Sequence, residues 1–472
     1  MSSYEVFIES EPWEERVAVR EGGILADYFL ERPGDHLRVG SVFAGRVMAL
    51  LNGVRAALVD IGTEEPAFLP LREMDSADFS QVVRGQTVLV QVVKRPLNGK
   101  RAQVTRLVSL PGRLVVLTPG MPGVKVSRRI EDQQEKGRLE SALKEAIQGG
   151  EGLMARTAAA GRSVDEIKAD CSRLIAEWNE LEIKLKDAPV PSCLREEVPL
   201  RVRALRDLCG SAPEKIRISP VAVFEEMKGV VRDRFTGLEG VVAPEESGLF
   251  WRSGLETELE QTLDRRVWLR GGGSLVIDCA EALTVVDVNS GSPAEEGSPA
   301  EVALRTNLEA AQEVPRQLRL RGIGGIIVVD FIDMTDQVQW KSVMEVLEAS
   351  LRRDRVKTQV ALPSQFGVVE MTRKRVDETT HQHLTEPCPD CAGRGRTLSP
   401  SSVAILIARK VMRALKSGGR PPVSVRVNPR AAAHLRDDSR LLKGMLKEYG
   451  EGSINIVEDP VLAIEDFRVS TA

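Results

Sequence analysis

The sequence predicts a multidomain α+β chain in which a small β-barrel precedes a charged helical stretch and an α/β domain. Three observations carry this prediction. First, 472 residues amount to about three domains at roughly 150 residues each. Second, residues 38–110 repeat short β-branched runs around Asn-Gly pairs, whereas residues 131–187 repeat apolar residues at helical spacing. Third, residues 268–372 alternate apolar strand-like runs with amphipathic helices. The composition agrees: 42% hydrophobic and 28% charged residues are ordinary for a globular protein. No run of 18 apolar residues occurs, which argues against a membrane-spanning helix. The acidic start, MSSYEVFIESEPWEE, has no apolar core and does not read as a secretory signal. Six cysteines are too few for a disulfide scaffold, so a reducing, cytoplasmic setting is expected.

The elements follow in order. GSVFAGRVMALLNGVRAALVDIG places two strands around Asn52-Gly53, and VLVQVVKRPLNGKRAQVTRLV places two more around Asn98-Gly99. Asn-Gly supplies the positive φ angles of a type I′ turn, so two hairpins are expected. Hairpins of this length suggest a barrel of the oligonucleotide-binding kind. Phe43 and Phe68 are its candidate stacking rings, and either could instead be core. Ser163 and Glu166 have capping-box spacing, and Val164, Ile167, Cys171, Leu174, Ile175 and Trp178 recur at helical spacing. Ahead of that cap, GLMARTAAAGRS reads as a short strand entering a small-residue loop, where Arg156 and Thr157 offer a guanidinium fork and a hydroxyl. Pro189, Pro191 and Pro199 mark a linker.

In the α/β region, SLVID and LTVVDVNS are strands, and GGIIVVDFIDM is a third, apolar enough for burial on both faces. Ser298, Pro299 and Glu301 open a helix running towards Gly322, with a kink predicted at Pro315. A second helix follows around VMEVLEASLRR, and residues 401–472 alternate helix and strand patterns.

The net charge of −4 hides an uneven distribution. Residues 79–130 contain no Asp or Glu and ten basic residues: Arg84, Lys94, Arg95, Lys100, Arg101, Arg106, Arg113, Lys125, Arg128 and Arg129. Binding a polyanion is the simplest use of such a window, and a solvated basic face is the bland one. Asp287 and Asp330 each follow Val-Val on strands expected to be buried, where an ionised carboxylate needs a partner or a metal. Two such carboxylates at adjacent strand ends make a hard-oxygen site suited to Mg²⁺, with Asn289 on the same strand face as Asp287 and Asp333 nearby. Structural roles compete, one Asp capping a turn and the other pairing with an arginine such as Arg319.

Cys388 and Cys391, followed by Gly393 and Gly395, form half a zinc knuckle. Its other half is His381 and His383 or an identical pair from a second molecule; a redox dithiol is the competing use. There is no GxxxxGK[ST], HExxH or GxSxG, and four histidines in the whole chain argue against His-based acid–base chemistry. Metal-assisted phosphodiester hydrolysis is what remains.

Taken together, GSVFAGRV, AALVDIGTEEPAFLPL, SRRIE, GLMARTAAAG, ALTVVDVNSG, TNLEAAQEVPRQLRLRGIGGIIVVDFIDM, GVVEMTRKR and CPDCAGRGRT resemble, in that order, the catalytic part of the bacterial ribonuclease E/G family. The resemblance covers most of residues 1–396 and weakens beyond. With no long scaffold tail, the chain is more like the G branch than the E branch.

The resemblance implies an S1 barrel (38–110) inserted in an RNase H-like subdomain (1–37 and 202–262), with a 5′-sensor region at 111–201. A DNase I-like catalytic subdomain (263–385), a zinc link (386–396) and a small domain (397–472) follow. It assigns Mg²⁺ binding to Asp287 and Asp330 and orientation of the scissile phosphate to Asn289. It assigns 5′-monophosphate recognition to Arg156 and Thr157, with Gly112 and Val116 lining the pocket and Arg128 supporting it. Phe68, Lys100 and Lys357 fall on RNA-contacting positions. Cys388 and Cys391 fall on a zinc shared between two protomers, which implies a homodimer or a higher assembly of such dimers. The activity implied is Mg²⁺-dependent endonucleolytic cleavage of single-stranded RNA, in ribosomal RNA maturation and messenger decay, without a membrane. Three departures stand out: Leu58 for a phenylalanine, Lys357 for an arginine, and Pro315 within a helix. The competing class is a non-catalytic RNA-binding S1 protein, which leaves the Asp287/Asp330 pair without a use.

Overall fold

Apolar residues spaced along the first thirty residues build three antiparallel strands, β1 (Tyr4–Glu11), β2 (Glu14–Glu21) and β3 (Ile24–Glu31). The structure, a computed structural model, describes residues 3–33, 37–70, 82–96, 100–147, 149–210, 213–291, 298–375, 379–391, 393–417, 422–437 and 454–470. It divides into two compact units, Met1–His383 and Leu384–Ala472.

In the first unit the barrel strands are β4 (Val42–Leu51), β5 (Ala56–Asp60), β6 (Ala67–Pro70), β7 (Thr87–Lys94) and β8 (Gln103–Thr105). They run in the order β4-β5-β6-β8-β7, and pairing of β4 with β7 closes the ring. The result is a closed five-stranded barrel filled by Phe43, Val47, Val59, Leu69, Val90 and Val104, so Phe43 is core. The first hairpin forms, but not through the expected type I′ turn. Asn52–Val54 make a 3₁₀ turn, and the left-handed residue is Arg55, at φ 48°. The second expected turn, at Asn98-Gly99, lies outside the described residues.

Next come β9 (Leu110–Pro111), β10 (Val115–Thr118) and β11 (Gly123–Val126), then α1 (Gln133–Ala146), β12 (Gly152–Ala155) and α2 (Val164–Asp187). These strands form a four-stranded sheet in the order β11-β12-β10-β9. Leu139, Leu143, Ile167, Cys171 and Leu174 from the two helices share one core with Leu117 and Leu153 of the sheet. The capping box of α2 is present, Ser163 and Glu166 each accepting the other's backbone N–H. The proline linker is not merely a linker. Its middle, β13 (Ser192–Arg195), pairs antiparallel with β4 and joins the barrel sheet.

The chain then returns to its beginning. After α3 (Leu200–Leu208), β14 (Lys215–Ser219) pairs parallel with β1. After α4 (Val221–Arg234), β15 (Val242–Pro244) extends the sheet, whose order is β15-β14-β1-β2-β3. One sheet is thus made from segments about two hundred residues apart, with the barrel and the α1–α2 layer inserted between them.

The last sheet of this unit holds β16 (Arg266–Trp268), β17 (Ser274–Cys279), β18 (Leu283–Asn289), β19 (Gly325–Asp330), β20 (Thr358–Val360) and β21 (Val368–Arg373). Its order is β16-β17-β18-β19-β21-β20, with β18 and β19 parallel. The connection between them carries a helix at Pro299–Leu320; a second helix, Gln337–Leu351, packs beside it. Both cover one face through Ala310, Ala311, Val314, Leu318, Val343 and Leu347. Burying each larger side chain contributes about 1.5–3 kcal/mol. The first helix opens with the expected capping box and runs on past Pro315 to Leu320. Pro315 has no N–H, so the Ala311 carbonyl goes without its helical donor there.

The opposite face of this sheet is open. Along β19, Ile327 and Val329 are buried whereas Ile326 is half exposed and Asp330 exposed. Burial on both faces was expected for this strand; the helices cover only one.

The second unit is a small mixed domain. Helix Pro400–Lys416 packs Val403, Ile407 and Val411 against Val423, Val425 and Val427 of a three-stranded sheet. The central strand, Val423–Val427, pairs parallel with Ile454–Glu458 and antiparallel with Phe467–Ser470.

Candidate active site and RNA-facing surfaces

The parallel register of β18 and β19 sets Asp287 directly beside Asp330. Paired residues of neighbouring strands point to the same face, and here it is the open one. Both carboxylates are exposed, which corrects the expectation of buried aspartates. Neither joins an ion pair among the described residues. Arg319, offered as a structural partner, is instead taken by Glu21 at 2.6 Å and Asp27 at 2.5 Å, fastening the Pro299–Leu320 helix to the first sheet. Asn289 lies on the same face, and its side-chain amide donates to an Asp287 carboxylate oxygen at 2.9 Å. Two adjacent carboxylates, one held by an amide and both open to water, suit a hard divalent cation that keeps most of its water ligands. Among the described residues no group of three or more metal-binding side chains forms, so solvent and substrate would complete such a shell.

Several supports of this site escaped sequence reasoning. Asn307 is fully buried in the covering helix; its amide donates to the Ile332 carbonyl at 2.8 Å and its oxygen accepts the Ile332 N–H at 3.0 Å. This clamp fixes the chain two residues beyond Asp330. A polar residue on the stripe shared by Ala303, Ala310 and Val314 was the available signal. Gly273 allows the close approach of Asn289, since a β-carbon there would lie 2.8 Å from the Asn289 carbonyl oxygen. Phe366, 79% exposed, stands two residues before Val368, the cross-strand partner of Asp330. Lys357 is exposed but is not brought to the carboxylates. Its carbonyl accepts the Lys374 N–H, six residues along from Val368, roughly 20 Å at strand rise.

On the barrel, Phe68 is half-buried and sits outside the core, with Leu58 as cross-strand partner and Gln103 on its other side. Lys100 is exposed. Leu58 therefore widens the same outer apolar patch as Phe68 without adding a second ring. The basic window is mostly surface, with one exception: Arg113 is buried.

The residues expected to read a 5′ end also converge. Arg156 donates to the Gly112 carbonyl at 2.6 Å and to Asp207 at 2.7 Å. Burial opposes ionisation of Asp207, but hydrogen bonds and charge from Arg206 and Arg156 outweigh it and hold the carboxyl below its usual range. The Thr157 and Ser127 hydroxyls share a hydrogen bond at 2.9 Å. Asp170 accepts the Leu114 and Val115 N–H groups at 2.9 and 3.1 Å and fills the space a β-carbon on Gly112 would need. Val116 is half-buried in β10, and Arg128 is exposed one residue after Ser127.

In the second unit, Gly393 and Gly395 adopt left-handed φ angles of 81° and 72°. The Gly395 and Gly393 amides, with weaker help from the Cys388 thiol and the Arg394 amide, lower the Cys391 thiol. Amides converging on a thiol after a CxxC pair are the environment of a thiolate metal ligand. Two thiols are half of a tetrahedral set, and no described residue enlarges the pair to three.

A closed barrel of oligonucleotide-binding type together with an open sheet carrying paired carboxylates defines the class, a candidate nuclease. Comparison with known proteins makes it particular. The profile of the ribonuclease E/G family matches residues 109–376. The chain is 33% identical to ribonuclease G of Salmonella typhimurium (strain SL1344), over 98% of this chain and 99% of that protein. It is 35% identical to ribonuclease G of Haemophilus influenzae, over 88% of each. Ribonuclease E of Escherichia coli (strain K12) is 34% identical over 84% of this chain but only 39% of its own length. The chain belongs to the ribonuclease E/G family and is an enzyme of the endoribonuclease class.

Proposed function

We propose that the enzyme hydrolyses single-stranded RNA internally with Mg²⁺, leaving a 5′-phosphate and a 3′-hydroxyl, and favours substrates carrying a 5′-monophosphate. The observation that carries this reading is the side-by-side register of Asp287 and Asp330 on an uncovered sheet face. A Mg²⁺ held by these two carboxylates would supply charge neutralisation at the scissile phosphate and make attacking water more acidic. Asn289 keeps the Asp287 carboxylate turned toward the site and offers its remaining amide capacity to a phosphate oxygen. Phe68, Leu58 and Lys100 give the strand an apolar platform and a cation on the barrel. Arg156 and Thr157 offer donors to a terminal phosphate, with Gly112 and Val116 lining the pocket and Arg128 at its edge. Lys357, far along the sheet, would meet a more distant part of the strand.

The same reading extends to assembly. Cys388 and Cys391 would share one zinc with the same pair of a second chain, giving a cytoplasmic homodimer. The first sheet would be the RNase H-like subdomain split around the barrel, and the carboxylate-bearing sheet the DNase I-like one. Ribosomal RNA maturation and messenger decay are the processes it would serve.

An internally labelled oligoribonucleotide tests the proposal. Internal cuts with 3′-hydroxyl ends should appear only with Mg²⁺, and faster on 5′-monophosphate than on 5′-hydroxyl RNA. Equal rates would remove the 5′-end role, and cuts persisting in a chelator would remove the metal.

A further inference from the structure

We propose that an arginine-lined cavity beside the Pro111–Arg113 turn, its lining not including Arg156 or Thr157, binds a small free oxyanion of the phosphate class. The inference stands apart from the 5′-end reading. The cavity, about 40 Å³, is lined by Arg113, Arg173, Arg195, Arg206, Arg234 and Glu177, with apolar side chains between them. Five guanidinium groups thus face one carboxylate.

Most of this charge is balanced by neighbouring carboxylates. Arg173 is 2.7 Å from Asp170, Arg195 is 2.5 Å from Glu177, and Arg206 is 2.6 Å from Glu197 and 2.8 Å from Asp207. Asp207 also takes Arg156 at 2.7 Å. Four arginines therefore answer four carboxylates. Arg113 and Arg234 are left over, and neither is in an ion pair among the described residues. Two surplus cations at a pocket match the charge of a phosphate dianion.

Arg113 is the telling residue. It is only 6% exposed, it donates to the Thr236 carbonyl, and its Nε is buried without an acceptor. Buried donors are nearly always paired, so an orphan beside a cavity marks a missing acceptor. Burial, with the like charge of Arg162 adding to it, lowers the Arg113 guanidinium, and the weaker pull of Glu166 and Asp170 does not offset them. Lining comes from the β9–β10 turn, α2, β13, α3 and the end of α4, an enclosure suited to a compact anion rather than a passing polynucleotide.

Calorimetric titration of the full chain with inorganic phosphate, against sodium chloride at equal ionic strength, tests this. The expected result is phosphate binding that persists in Thr157→Val, weakens at least tenfold in Arg234→Ala, and weakens similarly in Arg113→Lys. Arg234 is exposed, so its replacement keeps the test valid if Arg113 variants fail to fold. Binding lost in Thr157→Val yet unchanged in Arg234→Ala and Arg113→Lys would overturn the assignment. So would heat effects matched by chloride, or displacement of phosphate by a 5′-hydroxyl 2′-O-methyl oligonucleotide.

Discussion

Two asparagines do different work around the carboxylate pair, and their substitutions should separate. Asn289→Ala frees the Asp287 carboxylate to rotate, and changes in groups that orient a metal ligand typically cost about 10–100-fold in activity or metal affinity. That loss should appear in cleavage rate with the urea midpoint unchanged. Asn307→Leu strands both the N–H and the carbonyl of Ile332; an unsatisfied buried group costs about 1–3 kcal/mol, so urea denaturation should show a loss of stability. Thiol chemistry offers a further check. Burial pushes the Cys171 and Cys209 thiols up to about 12, so at pH 8 both should resist alkylation in the native state. Mass spectrometry should find label on exposed Cys279 before either; early labelling of Cys171 would contradict the α2 packing. At this scale the sequence was partly readable. Val-Val-Asp twice, with Asn two residues on, pointed to the pair. Asp207 could not be found that way, since it meets Arg156 from 51 residues off with no pattern connecting them.

Elements explain why some readings succeeded and others turned. Capping boxes are local chemistry, so Ser163/Glu166 and Ser298/Glu301 were legible from four residues each. Ser298→Ala should cost about 1 kcal/mol, seen as a lowered denaturation midpoint, because the helix start loses its acceptor. The apolar run of β19 was ambiguous, because Ile-Ile-Val-Val suits a strand buried on two faces or on one. Only the placement of both helices on the same side decided it. Another helix start gives a pH test. Hydrogen bonds from Arg138 and from the Gly161 N–H lower the Glu135 carboxyl to about 2. A depressed carboxylate contributes stability that is present above its unfolded value, near 4.5, and is lost as pH falls toward 2. Glu135→Gln should therefore shrink the stability difference between pH 5 and pH 2.5, and an unaltered acid limb would count against these bonds.

For the whole molecule, the order of sheets matters more than any one of them. The first sheet closes only when β14 returns to β1, so the barrel and the α1–α2 layer are held at both ends. Such long-range pairing leaves little trace in sequence, where β1 is a short run buried on both faces and β14 a short alternating strand. The barrel was more legible because its strands are consecutive, yet β13 joined it from the proline-rich stretch unannounced. Assembly is a property of this scale too. If two chains share one zinc, Cys388→Ser should turn dimers into monomers and remove about half a zinc per chain, as tetrahedral thiolate sites need four ligands. Light scattering with metal analysis measures both, and unchanged mass with full zinc would exclude the shared site.

The claim on which the others rest is that Asp287 and Asp330, paired across β18 and β19, form one metal-dependent cleavage site. Single-turnover cleavage of a labelled single strand across a Mg²⁺ titration tests it most directly, with RNA binding followed by anisotropy on the same samples. The native enzyme should saturate with Mg²⁺, while Asp287→Asn and Asp330→Asn should each fall about 10³-fold or more, roughly 4 kcal/mol in the barrier, at every Mg²⁺ concentration. Binding should stay within about twofold, since an uncovered carboxylate pair is not what holds the strand. Cleavage by either variant within tenfold of the native rate, or binding lost in parallel with cleavage, would contradict the account.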